Sequence, residues 1–190
     1  MAGTRRVLPT RPAACDDPAM SRVAVIGSGG AGKSTFAREL GGRLGLDVIH
    51  LDHLYWRPGW NPTPAGEWRT IQLGLVSGGG WIIDGNYGGT LDLRLAAADI
   101  VVFFDMPRRL AVAGILRRWL ANRGREVQAA GCPEHLEWSF LRWAWRYRQD
   151  SRPRVLAALR SHARAAEVIV VRSRSEARDA LDRISLAARG

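Results

Sequence analysis

The stretch Gly27-Ser28-Gly29-Gly30-Ala31-Gly32-Lys33-Ser34, with Thr35 just behind it, decides the fold. The apolar run Val23-Ala24-Val25-Ile26 precedes it, and Phe36-Ala37-Arg38-Glu39-Leu40, which reads as helix, follows. Strand, glycine loop and helix in that order fit the phosphate-binding pattern G-x-x-x-x-G-K-[ST]. Glycines let successive backbone N–H groups turn inward around an anion, and the helix N-terminus adds its positive dipole end. On this reading Gly27, Gly29, Gly30, Ala31, Gly32 and Thr35 form the cradle. Lys33 reaches the β- and γ-phosphates of ATP, and the Ser34 hydroxyl ligates Mg²⁺.

The same residues hold a rival pattern. Gly27, Gly29 and Gly32 satisfy G-x-G-x-x-G, and Asp52 falls about 20 residues on, where a dinucleotide-binding oxidoreductase keeps a ribose-binding acid. The Lys33-Ser34 pair favours the triphosphate. Lys33 is moreover the only lysine in the chain. A sequence that uses arginine everywhere else keeps a compact ammonium here, where a planar fork is no substitute.

The 190 residues, 46% hydrophobic and 24% charged, suit one globular domain, expected over 21–190. Residues 1–20 show no periodicity and read as a disordered extension, with Met1 or Met20 as the start. Cys15 and Cys132 make no disulfide framework and no metal-ligand spacing, which suits a reducing cytoplasm. No run of about 18 apolar residues is present, so no membrane partner is expected. The net charge of +10 fits nucleic acid and anionic nucleotides alike.

Apolar runs at 47–52, 81–85, 99–105 and 167–171 join the first strand to make five. Helices expected at 33–45, 63–77, 91–98, 107–122, 134–149, 153–165 and 175–188 separate them. This alternation predicts an α/β fold with a parallel sheet covered on both faces. Thr63 is the expected N-cap of the helix at 63–77, and Asp105 of the helix opened by Pro107.

Asp84 ends the third strand, where a carboxylate can organise Mg²⁺. Asp52 ends the second, at the carboxyl edge where open sheets bind ligands, and can serve as base toward an acceptor hydroxyl. Trp56 and Trp60 share a Pro/Gly loop beside it and can wall a ring, whereas Trp81, Trp119 and Trp143 fall at core-like positions. Arginines crowd the segment from Arg108 to Arg154, as a closing, charge-neutralising flap requires. Arg117, Arg123 and Arg146 are the first candidates.

Gly27–Ser34, the run His50-Leu51-Asp52-His53-Leu54-Tyr55-Trp56-Arg57-Pro58-Gly59-Trp60 and Trp81-Ile82-Ile83-Asp84-Gly85-Asn86-Tyr87 resemble the adenylate-kinase-like P-loop proteins known as DNA topology modulation proteins (FlaR type). Thr90–Arg94, Gly131-Cys132-Pro133-Glu134 and Phe140–Trp143 extend the likeness. It implies a P-loop fold of the nucleoside-monophosphate-kinase type, with a substrate-binding insert at 53–78 and a lid at 117–150. It also implies that Arg117 and Arg118 contact ATP and that Arg172-Ser173-Arg174 lies near the adenine. Adenylate kinases follow the strand-three acid with Gly-Phe-Pro-Arg, whose arginine binds acceptor phosphate. Here Gly85-Asn86-Tyr87-Gly88 follows, and Arg94 is the next arginine. Asp52, Tyr55, Trp56, Arg57 and Arg94 are therefore the expected acceptor set. The leading expectation is transfer of a phosphoryl group from Mg·ATP to a nucleoside monophosphate or another small acceptor. A nucleic-acid-associated ATPase is the second, resting on the basic, aromatic helix near 134–154.

Overall fold

The computed structural model describes residues 22–126 and 128–188. The expected disordered extension at 1–20 and Cys15 lie outside them. The chain begins with β1 (Arg22–Gly27), α1 (Lys33–Leu44), β2 (Val48–His50) and α2 (Leu51–Tyr55). A small hairpin, β3 (Trp56–Arg57) with β4 (Asn61–Pro62), leads to α3 (Ala65–Val76) and β5 (Trp81–Asp84). Then come α4 (Leu91–Ala97), β6 (Ile100–Phe104), α5 (Arg108–Asn122), α6 (Trp138–Asp150), α7 (Arg152–His162), β7 (Glu167–Val171) and α8 (Arg174–Ala187). Five strands pair in parallel in the order β2-β5-β1-β6-β7.

Alternation along each strand feeds two cores. Val23, Val25, Ile82, Val102 and Phe104 pack with Phe36 and Leu40 of α1 and Leu181 and Ile184 of α8. Ala24, Ile26, Ile83, Val101 and Phe103 face α3, α4 and α7 through Trp68, Leu91, Leu95, Val155 and Leu159. Among the described residues no helix is long and apolar enough to cross a membrane.

Several local expectations are corrected. The second strand stops at His50, and Asp52 stands instead in the first turn of α2. The buried Leu51 pins that turn inward, and the Trp56 N–H closes it on the Asp52 carbonyl. Thr63 does not cap α3: it is buried, its hydroxyl donates to the Tyr55 carbonyl at 2.8 Å, and Pro64 occupies the cap. Asp105 does not cap α5, because Arg152 takes both its oxygens at 2.8 and 2.9 Å. α6 begins at Trp138, four residues later than expected, since Glu134 is held in the preceding loop. Trp81 is buried as expected, but Trp119 and Trp143 are half-buried.

β1 delivers the glycine loop to the carboxyl edge, and α5 is laid directly against it. A Cβ on Gly114 would stand 2.0 Å from the Gly30 carbonyl oxygen. Gly114→Ala is therefore expected to lower stability by about 1–3 kcal/mol in thermal or urea unfolding. Gly42→Ala, on a helical position with no atom within 4 Å of the added Cβ, is expected to raise it by roughly 0.5–1 kcal/mol.

Candidate active site

The loop after β1 turns through left-handed backbone at Gly30 (φ 70°) and Gly32 (φ 94°), conformations that glycine adopts without strain. α1 starts at the next residue, with the Phe36 N–H closing its first turn on the Gly32 carbonyl at 3.1 Å. The first N–H groups of α1 thus point into the loop without capping side chains. Lys33 folds back over this cradle, its Nζ donating to the Ser28 carbonyl at 2.8 Å. Burial pulls the Lys33 pKa below its ordinary 10.5, against the pull of Asp84 and Asp52. A cation held where its charge is disfavoured is poised for an anion.

Asp84 stands beside the cradle because β5 pairs with β1 at Val25 and with β2 at His50. His50 Nδ1 lies 2.9 Å from one Asp84 oxygen, and the other oxygen is buried with no hydrogen-bond partner. Burial pushes the Asp84 carboxyl up, but His50, the Lys33 charge and the Ser34 hydroxyl outweigh it and hold it below the usual carboxylate value. Among the described residues no cluster of three or more His, Cys, Asp or Glu could hold a metal. One hydroxyl and one carboxylate with an orphaned oxygen instead fit Mg²⁺ carried in on phosphates, which keeps most of its ligands from water and phosphate.

Asp52, expected at the acceptor, lines the same cavity of about 1600 Å³ as Lys33, Ser34 and Asp84. Tyr87 donates to Asp52 at 2.5 Å. Burial, then the Asp52 charge, pushes the phenol far above its normal range, so it stays a donor. Trp56 and Trp60 wall this end, their rings 5.5 Å apart. A second cavity of about 230 Å³ adjoins the loop, with Phe36, Phe104, Met106 and Leu181 for an apolar floor and Arg117 and Arg174 on its rim.

Arg117 and Arg118, one turn beyond Gly114 on α5, both reach the large cavity. Other expected residues are not brought there. Arg123 packs over the Trp119 ring at 5.6 Å. Arg146 pairs with Asp150 on the exposed face of α6. Arg57 turns outward to Glu67 at 2.5 Å. Tyr55 lies behind Tyr87 and Trp68, at ring distances of 4.6 and 5.0 Å. Arg94 is completely enclosed, bonded to Gln72 and to the Asn86 carbonyl at 2.9 Å. Burial draws its pKa down to about 10, still protonated at neutral pH.

The cleft adds residues that the sequence reading named within motifs or the arginine-rich segment but gave no role. Asn86 accepts from the Gly27 N–H at 3.3 Å, tying the turn after β5 to the glycine loop. Phe140 of α6 lies over Gly29, and Arg154 reaches in from α7. Adjacency to Asp84 marks Asn86; no spacing marks Tyr87 as the partner of Asp52, 35 residues away.

A glycine cradle ending in Lys-Ser, an acid on the neighbouring strand and five parallel strands in this order define a P-loop α/β fold of the nucleoside-monophosphate-kinase type. No family model matches the chain. Over 111 residues it is 31% identical to an adenylate kinase of Moorella thermoacetica, covering 57% of this chain. The match spans about half, 50%, of that relative's length. In three dimensions it is similar to a shikimate kinase from Acinetobacter baumannii, solved with shikimate, with a TM-score of 0.58 at 18% identity over 88% of this chain and 92% of that one. A shikimate kinase from Bacteroides thetaiotaomicron gives 0.52 at 13% identity, over 90% and 100% of the two chains.

The single lysine makes the cradle directly observable. With ¹⁵N-lysine label, the one side-chain ammonium is expected to titrate below 10.5 in the free protein. Bound nucleotide should move that midpoint upward. Between the folded value and 10.5 the unfolded chain holds the proton that the folded chain has released, so Lys33's contribution to stability rises with pH across that window. A midpoint at or above 10.5 without ligand would contradict burial as the controlling cause.

Proposed function

We propose that this chain is an ATP-dependent phosphotransferase acting on a small acceptor hydroxyl. The observation that carries the reading is that one cavity is lined by the glycine loop, Lys33, Ser34, Asp84 and Asp52. When bound, Mg·ATP supplies the γ-phosphoryl group. The loop N–H groups and Lys33 would hold the phosphates. Ser34 and the orphaned Asp84 oxygen would hold the metal and its waters. The smaller cavity, apolar with an arginine rim, suits a purine and its ribose. Arg117 and Arg118 would neutralise charge that develops during transfer.

Asp52, oriented by Tyr87, would take the proton of the acceptor hydroxyl. The hydroxyl oxygen then bonds to the γ-phosphorus as the bond to the bridging oxygen breaks and ADP leaves. A hydroxyl acceptor is better supported than the phosphate of a nucleoside monophosphate. Arg57, Arg69 and Arg94, the arginines near the insert that could grip such a phosphate, do not line the cavity, whereas Asp52 and Tyr87 do.

An acceptor panel of nucleosides, nucleoside monophosphates, sugars and hydroxy acids, read by ADP release with Mg·ATP, tests the reading. Lys33→Ala is expected to lose nucleotide binding. Asp52→Asn should keep ATP affinity and lose about a hundredfold in turnover, the scale of a general base. Unchanged ATP affinity in Lys33→Ala would overturn the phosphate assignment, and unchanged turnover in Asp52→Asn the role of the base.

A further inference from the structure

The segment Gly131–Glu134 takes no part in the chemistry above, yet it binds in two directions at once. Toward the insert, the Gly131 carbonyl accepts from the Gly59 N–H at 2.9 Å, and the Cys132 thiol donates to the Arg57 carbonyl at 3.2 Å. Trp60 Nε1 donates to the Pro133 carbonyl at 3.3 Å, and its ring meets His135 edge-on. The approach is close: a Cβ on Gly131, which has φ 72°, would stand 2.8 Å from Pro58 Cβ. Toward the cleft, Glu134 is only 4% exposed. One of its oxygens accepts from Arg118 Nε at 2.9 Å and the other from Gln128 Nε2 at 2.9 Å. Its backbone N–H and carbonyl are also paired, with Arg125 and Gly124.

We propose that Glu134 is a positioning residue: it couples docking of the α5–α6 loop on the β3–β4 hairpin to the placement of the Arg118 guanidinium in the cleft. The part of this inference that concerns Arg118 in turnover rests on the phosphotransferase reading. A carboxylate this enclosed must keep its partners. If the loop leaves the hairpin, Glu134 is drawn toward water and Arg118 loses the oxygen that fixes its Nε. Arg118 lines the same cavity as Lys33 and Ser34. Its placement is therefore an event at the phosphate end of the cavity, while Trp60 belongs to the acceptor end. Closure over the acceptor and delivery of a cation to the phosphates become one movement.

The test compares the full-length protein with Glu134→Gln, Glu134→Asp and Trp60→Phe by hydrogen exchange and steady-state kinetics. In Glu134→Gln, exchange should rise both in peptides over 124–137 and in those over 56–62, with strand 100–104 unchanged. Trp60→Phe, which leaves Glu134 and Arg118 intact, should loosen the same two segments. Turnover in Glu134→Gln should fall about tenfold or more, the scale of a misplaced catalytic group, with the KM for ATP held within about twofold. Glu134→Asp should recover part of it. Faster exchange confined to 124–137, or unchanged turnover in Glu134→Gln, overturns the proposal. If Glu134→Gln loosens the whole protein, Trp60→Phe decides: faster exchange in both segments supports the coupling, and in one alone overturns it. Absence of ADP release by the wild type would count against the phosphotransferase reading, and the exchange arm would still decide the coupling.

Discussion

The ligand end of the molecule rests on a contact between two backbones. Gly30 in the loop and Gly114 on α5 approach so closely that neither leaves room for a side chain: a Cβ on Gly30 would stand 2.1 Å from the Ala111 carbonyl oxygen. The loop is thus gripped between the strand that launches it and a helix that begins after β6. Arg117 and Arg118 follow Gly114 by three and four residues, one helical turn, so the contact that fixes the loop also fixes the height at which they enter the cleft. Phe140, over Gly29, adds α6 to the same assembly.

Charge in this protein is organised by pairing more than by sign. The formal excess of +10 points toward an anionic partner, yet many arginines already have carboxylates: Arg43 with Glu39 and Asp182, Arg69 with Asp92, Arg152 with Asp105. Exposed pairs such as Arg69 with Asp92 contribute about 0–1 kcal/mol each, whereas Arg152 holds a buried carboxylate. What matters for function is the distribution inside one cavity, lined by the cations Lys33, Arg117 and Arg118 together with the acids Asp52 and Asp84.

Elements set by local pattern were legible in the sequence. The strand–glycine–Lys-Ser run and the apolar runs give the sheet, because each encodes its own backbone geometry. Gly45 ends α1 in left-handed backbone as its position suggests. Residues whose roles depend on distant partners were not legible. Asp105 looks like a cap until Arg152 arrives from 47 positions away. Arg57 looks like a substrate contact until Glu67 draws it outward, whereas the partner of Arg146, expected on the flap, stands only four residues away at Asp150. The spacing that brings arginines near a site says nothing about which carboxylate reaches them first.

Arg94 carries a mechanical consequence. Its enclosed guanidinium joins Gln72 of α3 to the backbone of the turn after β5, at the Asn86 carbonyl. Gln72 is itself fully buried. The rear of the insert is therefore riveted to the sheet by a cation that cannot leave without abandoning every partner in the interior. Helix α3 is thus anchored to the sheet from within, whereas the hairpin at 56–62 takes its anchorage from outside it, through Gly131, Cys132 and Pro133.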